Sequence, residues 1–384
     1  MAIYWTDEQK AFKETAERFA KEQLAPGYQE RDVEGQIDRS LTRAMGDLGL
    51  IGVDIPEEFG GLGQTCVTSG LITETIAYSD FNMSYMCLLG SLMGQIMVNH
   101  ASADIAHEWV PQLLSGEKLI ALGLTEPRGG SDAGNLILRA DKKGDKYILN
   151  GEKTSITFAD QAEGVVLFAR TGAVEDGARG ISAFFVPLDL PGVATTRFND
   201  LGSKIIGRGS IFFDNVELGE EYRLGEEGRG FVQVMEGFDF SRALIGLQCV
   251  GAAQASLDEA WQYTTEREAM GRPIAQYQGV SFPLAEGETI IESARLLCYN
   301  TLDLRDKDMP HTSEAAMCKW FAPRKSVEVI HDCLLTHGHY GWSTDLPIQQ
   351  RMRDVMGLQI GDGTAQIMKL VIAREKVGRV AVQY

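Results

Sequence analysis

The chain has 384 residues, enough for two or three domains, and its 44% hydrophobic, 23% charged and 8% aromatic content is that of an ordinary globular protein. A formal charge of -18 counts against nucleic acid, whose binding depends on neutralising phosphates, and against an anionic membrane surface; a phosphorylated ligand held by a few local donors stays compatible. Six cysteines (Cys66, Cys87, Cys249, Cys298, Cys318 and Cys333) lack paired spacing, which argues against a zinc site or a disulfide framework and for free thiols in a reducing compartment.

The opening MAIYWTDEQK has no basic-then-apolar leader pattern, and no uncharged apolar run reaches membrane-spanning length. A cytoplasmic protein without membrane insertion is expected. A helix is predicted from Thr6: Gln9, three residues on, gives a capping-box spacing, and Phe12, Ala16, Phe19 and Ala20 form an apolar stripe until LAPG ends it. Helical segments continue to about Ser115, and the apolar MSYMCLLGSLMGQIMVNHA, interrupted by Gly and Ser, reads as a buried helix. After Gly116 the texture changes. KYILNGEKTSITF sets Asn-Gly between two β-prone runs, which predicts a hairpin there. GVVLFART, ISAFFVPLD and GSIFFDNVEL follow, separated by Gly, Pro or Asp turns. With no helix of useful length between them, these runs predict an antiparallel barrel or sandwich rather than a parallel dinucleotide-binding sheet. GGSDAG, at 129–134, lacks the glycine spacing and following helix of that fingerprint, although its backbone N–H groups suit an anionic cofactor. From about Gly228 helices return with bundle-like apolar spacing, and the last opens near Thr364 with Ile367, Leu370 and Val371 on one face.

Four motifs then stand in register along the chain. LGLTEPRGGSDAG carries Thr125-Glu126-Pro127 and Gly130-Ser131-Asp132; YILNGEKTSIT carries Asn150, Gly151, Lys153 and Thr157. EREAMGRPIAQYQ carries Arg267, Gly271, Pro273 and Gln278; MRDVMGLQIGDGTAQIMKLVIARE carries Arg353, Asp354, Gly363, Thr364 and Gln366. In this order and spacing the sequence resembles the acyl-CoA dehydrogenase family of FAD flavoproteins. The resemblance implies a mainly α fold with a central β-domain: an N-terminal helical domain (1–117), an antiparallel β-barrel domain (118–228) and a C-terminal four-helix-bundle domain (229–384), assembled as a homotetramer. It implies FAD contacts at Leu124, Thr125, Gly130, Ser131, Thr157, Thr364 and Gln366, with Arg267 and Gln278 reaching the FAD of a neighbouring subunit. It implies CoA-side contacts in EGFDFSRAL, at Phe238, Asp239, Ser241 and Arg242, with Ser131, Gly361 and Gly363 also facing substrate. Taken singly these residues read as caps, surface groups or, for Asp239 and Arg242, an ordinary ion pair.

Asp362, between two glycines, occupies the position where most of the family has the glutamate that removes the α-proton of the thioester. A helix cap is the simpler reading of such an aspartate. The alternative base position of the family falls on Ser241, which cannot serve. A helix N-terminus also favours the ionised form, so desolvation would have to raise its pKa. Aspartate is shorter than glutamate by about 1.5 Å, one carbon–carbon step. Gly361 replaces a usual tyrosine and Ser155 a frequent tryptophan, so bulk is missing near the reacting carbons and a cavity would be left unless substrate filled it. An α-branched or alicyclic acyl group of the cyclohexanecarbonyl-CoA kind is expected, with electron-transferring flavoprotein as acceptor. A flavin acyl-CoA oxidase, a short straight-chain acyl-CoA dehydrogenase, a monooxygenase and a DNA-associated flavoprotein are the other readings; the carboxylate at Asp362 counts against the third and the charge against the fourth. Leu335 and His339 depart from common family residues near FAD. HGHYGW (His337, His339) shows no third metal ligand, and Lys204 and Arg208 in GSKIIGRGS read as a solvated loop.

Overall fold

The computed structural model describes residues 5–381. Helix α1 (Asp7–Phe19) starts as its sequence predicts: the Thr6 hydroxyl accepts the Gln9 N–H while the Gln9 side chain accepts the Thr6 N–H. LAPG does not end the helical path. The chain widens through 20–24, tightens through 25–27 and continues as α2 (Tyr28–Glu34). Next come α3 (Arg39–Asp47), α4 (Cys66–Ser79), α5 (Ser84–His100) and α6 (Ala103–Leu114). Apolar on nearly every side, α5 is buried along most of its length.

The middle of the chain is β1 (Ile120–Gly123), β2 (Arg139–Lys143), β3 (Lys146–Ile156), β4 (Gly164–Arg170), β5 (Ile181–Pro187), β6 (Val193–Arg197), β7 (Gly209–Gly219) and β8 (Arg223–Leu224). They form one sheet in the order β6-β7-β3-β2-β4-β5-β8, with β1 alongside β4. Most ladders are antiparallel as expected, but β1 and the end of β2 lie parallel to one edge of β4, so the sheet is mixed. The predicted Asn-Gly hairpin is not there. The turn comes earlier, at Gly144 and Asp145, and β3 runs straight through Asn150-Gly151. Between Leu149 and Gly151 the register against β7 slips, a bulge. Gly151 has φ 140°, and a Cβ there would lie 2.9 Å from Leu138 Cγ; Asn150 closes the bulge by accepting the Asn215 N–H at 2.9 Å. A turn-forming dipeptide thus serves close strand packing instead.

Strands β4 and β5 are buried on both faces, which is why they read as unbroken apolar runs. One face (Val165, Leu167, Phe184) belongs to the sheet's own core with Tyr147 and Ile211; the other (Val166, Phe168, Phe185) joins the helical core.

The last part is a helical assembly. α7 (Gly230–Glu266) is a single 37-residue helix that unites EGFDFSRAL with the following apolar segment. A short hairpin, β9 (Glu268–Ala269) and β10 (Arg272–Pro273), leads to α8 (Gln278–Asp306), α9 (Thr312–His337), α10 (His339–Trp342), α11 (Ile348–Gly357) and α12 (Ala365–Val377). α7, α8 and α9 pack on one another, and α12 packs on α9, giving the expected bundle; α4 closes it from the N-terminal side. Among the described residues no helix is long and apolar enough to cross a membrane.

Candidate active site

The loop from Leu358 to Gly363 joins α11 to α12. The helix cap is Thr364, whose hydroxyl accepts the Ile367 N–H at 3.4 Å, so the simpler reading of Asp362 as the cap is excluded. Asp362 instead has φ 53°, in the left-handed region that non-glycine residues seldom occupy. The glycines on either side have different reasons. Gly363 has φ 104°, and a Cβ there would meet Met368 Cε at 2.5 Å. At Gly361 the nearest atom to an added Cβ is Gly357 O, 3.9 Å away, so the space beside it is open.

Asp362 is half-buried. Burial raises its pKa above the ordinary carboxylate range; Lys319, Arg242 and Arg208, in that order, pull the other way. Its N–H makes no backbone hydrogen bond among the described residues.

Each of the three cations is held differently. Lys319, on α9, is 1% exposed, and its ammonium donates to Leu358 O at 2.5 Å and Gly363 O at 3.2 Å. Burial brings its pKa down to about 8, against the opposing charge of Asp362. Arg242, on α7, pairs with Asp239 at 3.0 Å and lies over the Phe238 ring, 5.5 Å from its centroid. Asp239 is further engaged by the Thr312 hydroxyl at 2.5 Å. Arg242 Nε and the Ser241 hydroxyl are buried without hydrogen-bond partners among the described residues. Arg208 corrects an expectation. It is not in a solvated loop: Ile205 and Ile206 are buried, and the half-buried Arg208 guanidinium donates to the Tyr85 hydroxyl at 3.0 Å. Lys204 does stay exposed. Tyr85, from α5, is itself buried, and burial pushes its pKa up to about 12.

A second group of expected residues gathers around the end of β1. Leu124 is buried and Thr125 half-buried. An added Cβ at Gly130 would lie 3.4 Å from Thr125 Cγ2. Gly130 and Ser131 are exposed, and neither N–H makes a backbone hydrogen bond among the described residues. The loop is braced by Glu126, whose carboxylate accepts the N–H groups of Ile137 and Leu138, both at 2.8 Å, and the Lys153 ammonium at 2.9 Å. Lys153 also donates to Leu124 O at 3.0 Å. Thr157 is half-buried just past β3, on backbone bent by positive φ at Ser155 and Phe158. This donor set suits a flavin dinucleotide: hydroxyls for a polar ring, and free N–H groups with an anchored loop for a pyrophosphate.

Arg267 and Gln278 do not join either group. Both are exposed, on either side of the β9–β10 hairpin. Gln366, Leu335 and His339 are exposed as well, while His337 is buried, with its ring 4.4 Å from that of Tyr263. A cavity of about 910 Å³ shares no residue with the Asp362 cluster; it lies among α1, α4, α7 and α8, and charged groups in its wall pair with one another, as Arg295 does with Glu74 at 2.7 Å. Sequence reasoning missed Lys319 and Tyr85. A signal for Lys319 existed: it falls in register with Ala315, Ala316, Ala322 and Pro323 on the buried face of its helix, where a lone lysine needs a reason.

Three family models match in order: acyl-CoA dehydrogenase N-terminal domain at residues 6–117, middle domain at 121–216 and C-terminal domain at 228–377. An acyl-CoA dehydrogenase of Bacillus subtilis is 34% identical over 378 residues, 98% of this chain and 100% of the relative. The caffeyl-CoA reductase–Etf complex subunit of Acetobacterium woodii is 32% identical, covering 97% of this chain and 98% of the relative. The structure of butyryl-CoA dehydrogenase from Megasphaera elsdenii superposes with a TM-score of 0.94 at 30% identity, over 98% of this chain and 100% of that one.

Proposed function

The chain belongs to the acyl-CoA dehydrogenase family, FAD-dependent oxidoreductases acting on the CH–CH bond of an acyl-CoA, and on that premise we propose that it dehydrogenates an acyl group wide at its α- and β-carbons, alicyclic or α-branched. The observation that carries this reading is a half-buried Asp362, its carboxyl pKa raised by burial, with open space beside it at the exposed Gly361. Relatives named for butyryl-CoA and caffeyl-CoA differ greatly in acyl size, so the scaffold alone does not choose the substrate. The missing side chain at Gly361 favours a wide group.

In this reading Asp362 takes the α-proton. The thioester carbonyl, polarised by hydrogen bonding, makes that proton acidic, and the unengaged Asp362 N–H is placed to donate to it. FAD, when bound, would supply the two-electron redox chemistry that removes the β-hydrogen as hydride. Leu124, Thr125, Gly130, Ser131, Thr157, Thr364 and Gln366 hold the cofactor, and the exposed Arg267 and Gln278 are available to the FAD of a neighbouring copy in a homotetramer. Phe238, Ser241 and Arg242 line the CoA side, where the unpartnered Ser241 hydroxyl and Arg242 Nε await acceptors. Asp239 serves there by fixing Arg242. Electron-transferring flavoprotein is the proposed acceptor, by analogy with the Acetobacterium relative named as part of an Etf complex.

The test is Asp362→Asn. The variant is expected to retain FAD and to lose substrate-dependent bleaching of the flavin absorbance. Normal bleaching with any acyl-CoA would remove Asp362 from the reaction. Peroxide release under air at the rate of turnover would favour the oxidase reading instead.

A further inference from the structure

The base loop is unusual in being fastened at both ends by one side chain. Lys319 comes from α9, outside the loop, and its ammonium is bonded to the carbonyls of Leu358 and Gly363, the residue that caps the end of α11 and the residue just before the cap of α12. Between those two carbonyls lies Asp362 at φ 53°. From this geometry we infer that Lys319 is a positioning residue for the reaction, clamping the loop so that Asp362 keeps its left-handed backbone and holding a positive charge against its carboxyl.

Three features support this. Lys319 is 1% exposed, and an ammonium taken out of water needs compensating partners; two carbonyls supply them, and the charge of Asp362 favours the ammonium from beyond ion-pair distance. Among the described residues no other hydrogen bond spans the loop: the turn's own backbone bonds, Ile360 and Gly361 to Gly357 O, end before Asp362. Finally, of the groups facing Asp362, Lys319 has the largest effect favouring ionisation, ahead of Arg242 from α7 and Arg208 from the segment before β7, with the neutral Tyr85 hydroxyl from α5 nearby. Lys319 in turn faces Asp362, Arg242 and the buried Cys249. The chemical logic is a balance. A base buried for substrate desolvation would take up a proton at neutral pH unless a fixed cation opposed it, and a short aspartate tolerates little misplacement, since about 1 Å can cost ~10²-fold in rate.

The inference rests on Asp362 being the base, so the experiment separates the two. Lys319→Met, Lys319→Gln and Lys319→Arg would be prepared as FAD-loaded enzyme beside Asp362→Asn, and the rate of flavin bleaching by acyl-CoA followed from pH 5 to 10. In Lys319→Met the rate is expected to fall by ~10²-fold with KM changed less than about threefold. The rising limb of its pH profile should move upward, because the Lys319 charge that favours the ionised Asp362 carboxyl is gone. Lys319→Gln keeps a donor but not the charge, and should show the shifted limb with a smaller loss of rate. Lys319→Arg keeps the charge, and should restore the limb while remaining slow. Should Lys319→Met fail to fold, the Gln and Arg pair decides. Limbs at the wild-type pH in both Met and Gln variants, or in Gln alone if only that folds, would overturn the inference even where Asp362→Asn is dead; bleaching by Asp362→Asn would instead overturn the assignment of the base.

Discussion

A carboxylate that removes a carbon-bound proton must be ionised and at the same time poorly solvated, and these demands oppose each other. At Asp362 burial raises the pKa while three cations oppose it. Among the described residues Arg242 pairs with Asp239 at 3.0 Å and Arg208 with Asp200 at 3.8 Å, and none of the three cations forms a salt bridge to Asp362, so they act on its carboxyl without locking it. Gly361 is the adjustable element of this arrangement. Its would-be Cβ meets nothing closer than 3.9 Å, so a side chain could be introduced without a backbone clash. The wild-type enzyme should therefore turn over cyclohexanecarbonyl-CoA in preference to butyryl-CoA, and Gly361→Tyr should reverse the order. Filling the space is expected to cut kcat/KM for the ring substrate by about 10–100-fold, the range for a misfit of a few carbon atoms, and to leave butyryl-CoA within about threefold. Equal losses on both substrates would mean that the gap beside Gly361 is not where the acyl group sits.

At the scale of elements, the loop after β1 depends on a buried ion pair. Burial pushes the Glu126 carboxyl upward, but Lys153 and the N–H groups of Leu138 and Ile137 together leave it below the usual range. Lys153→Met would strand that carboxylate and free Leu124 O. The expected cost is about 3–5 kcal/mol in denaturant unfolding, with a reduced flavin-to-protein ratio after gel filtration. Retention of full stability and full flavin would show that the brace is dispensable. The sequence made this loop legible because its motif is short and its spacing fixed, and the helix–sheet–helix order was legible because apolar period follows secondary structure. Long-range geometry was hidden. Asn150-Gly151 has the composition of a turn, and only the approach of Leu138 makes it a bulge. A cap was the alternative reading of Asp362, and Thr364 holds that role. Arg208 looked solvated because its partner, Tyr85, is 123 residues away in the chain. Lys319 reaches a loop some 40 residues further on, and no local pattern encodes such a reach.

On the scale of the whole molecule, the base loop is anchored through α11 to both other domains. Asp354, fully buried, accepts the Tyr28 hydroxyl at 2.8 Å and the Asn82 amide at 2.9 Å from the N-terminal helices, and the Ser203 N–H at 2.5 Å from the β-domain. Its neighbour Arg353 repeats the pattern, donating to Asp32 and to Leu201 O, both at 2.9 Å. Gly202 packs against this point so closely that a Cβ would come within 2.4 Å of the Arg353 carbonyl carbon. Burial is the largest influence on Asp354 and carries its pKa from 3.8 up to about 7. The folded protein therefore keeps this proton between about pH 4 and 7, where the unfolded chain has lost it. The stabilisation is complete below pH 4 and disappears as pH rises through 7, on the order of 4 kcal/mol across the window. Asp354→Asn does not titrate, and its amide cannot accept from all three donors, so it should be less stable throughout. The gap in melting temperature between wild type and variant should be wider at pH 5 than at pH 8. A gap that widens toward pH 8 would mean that the three donors hold the group charged. Because α11 leads directly into the loop carrying Asp362, the variant should also bleach its flavin more slowly with acyl-CoA at temperatures where it remains folded; an unchanged rate there would show that the joint steadies the fold without steadying the base.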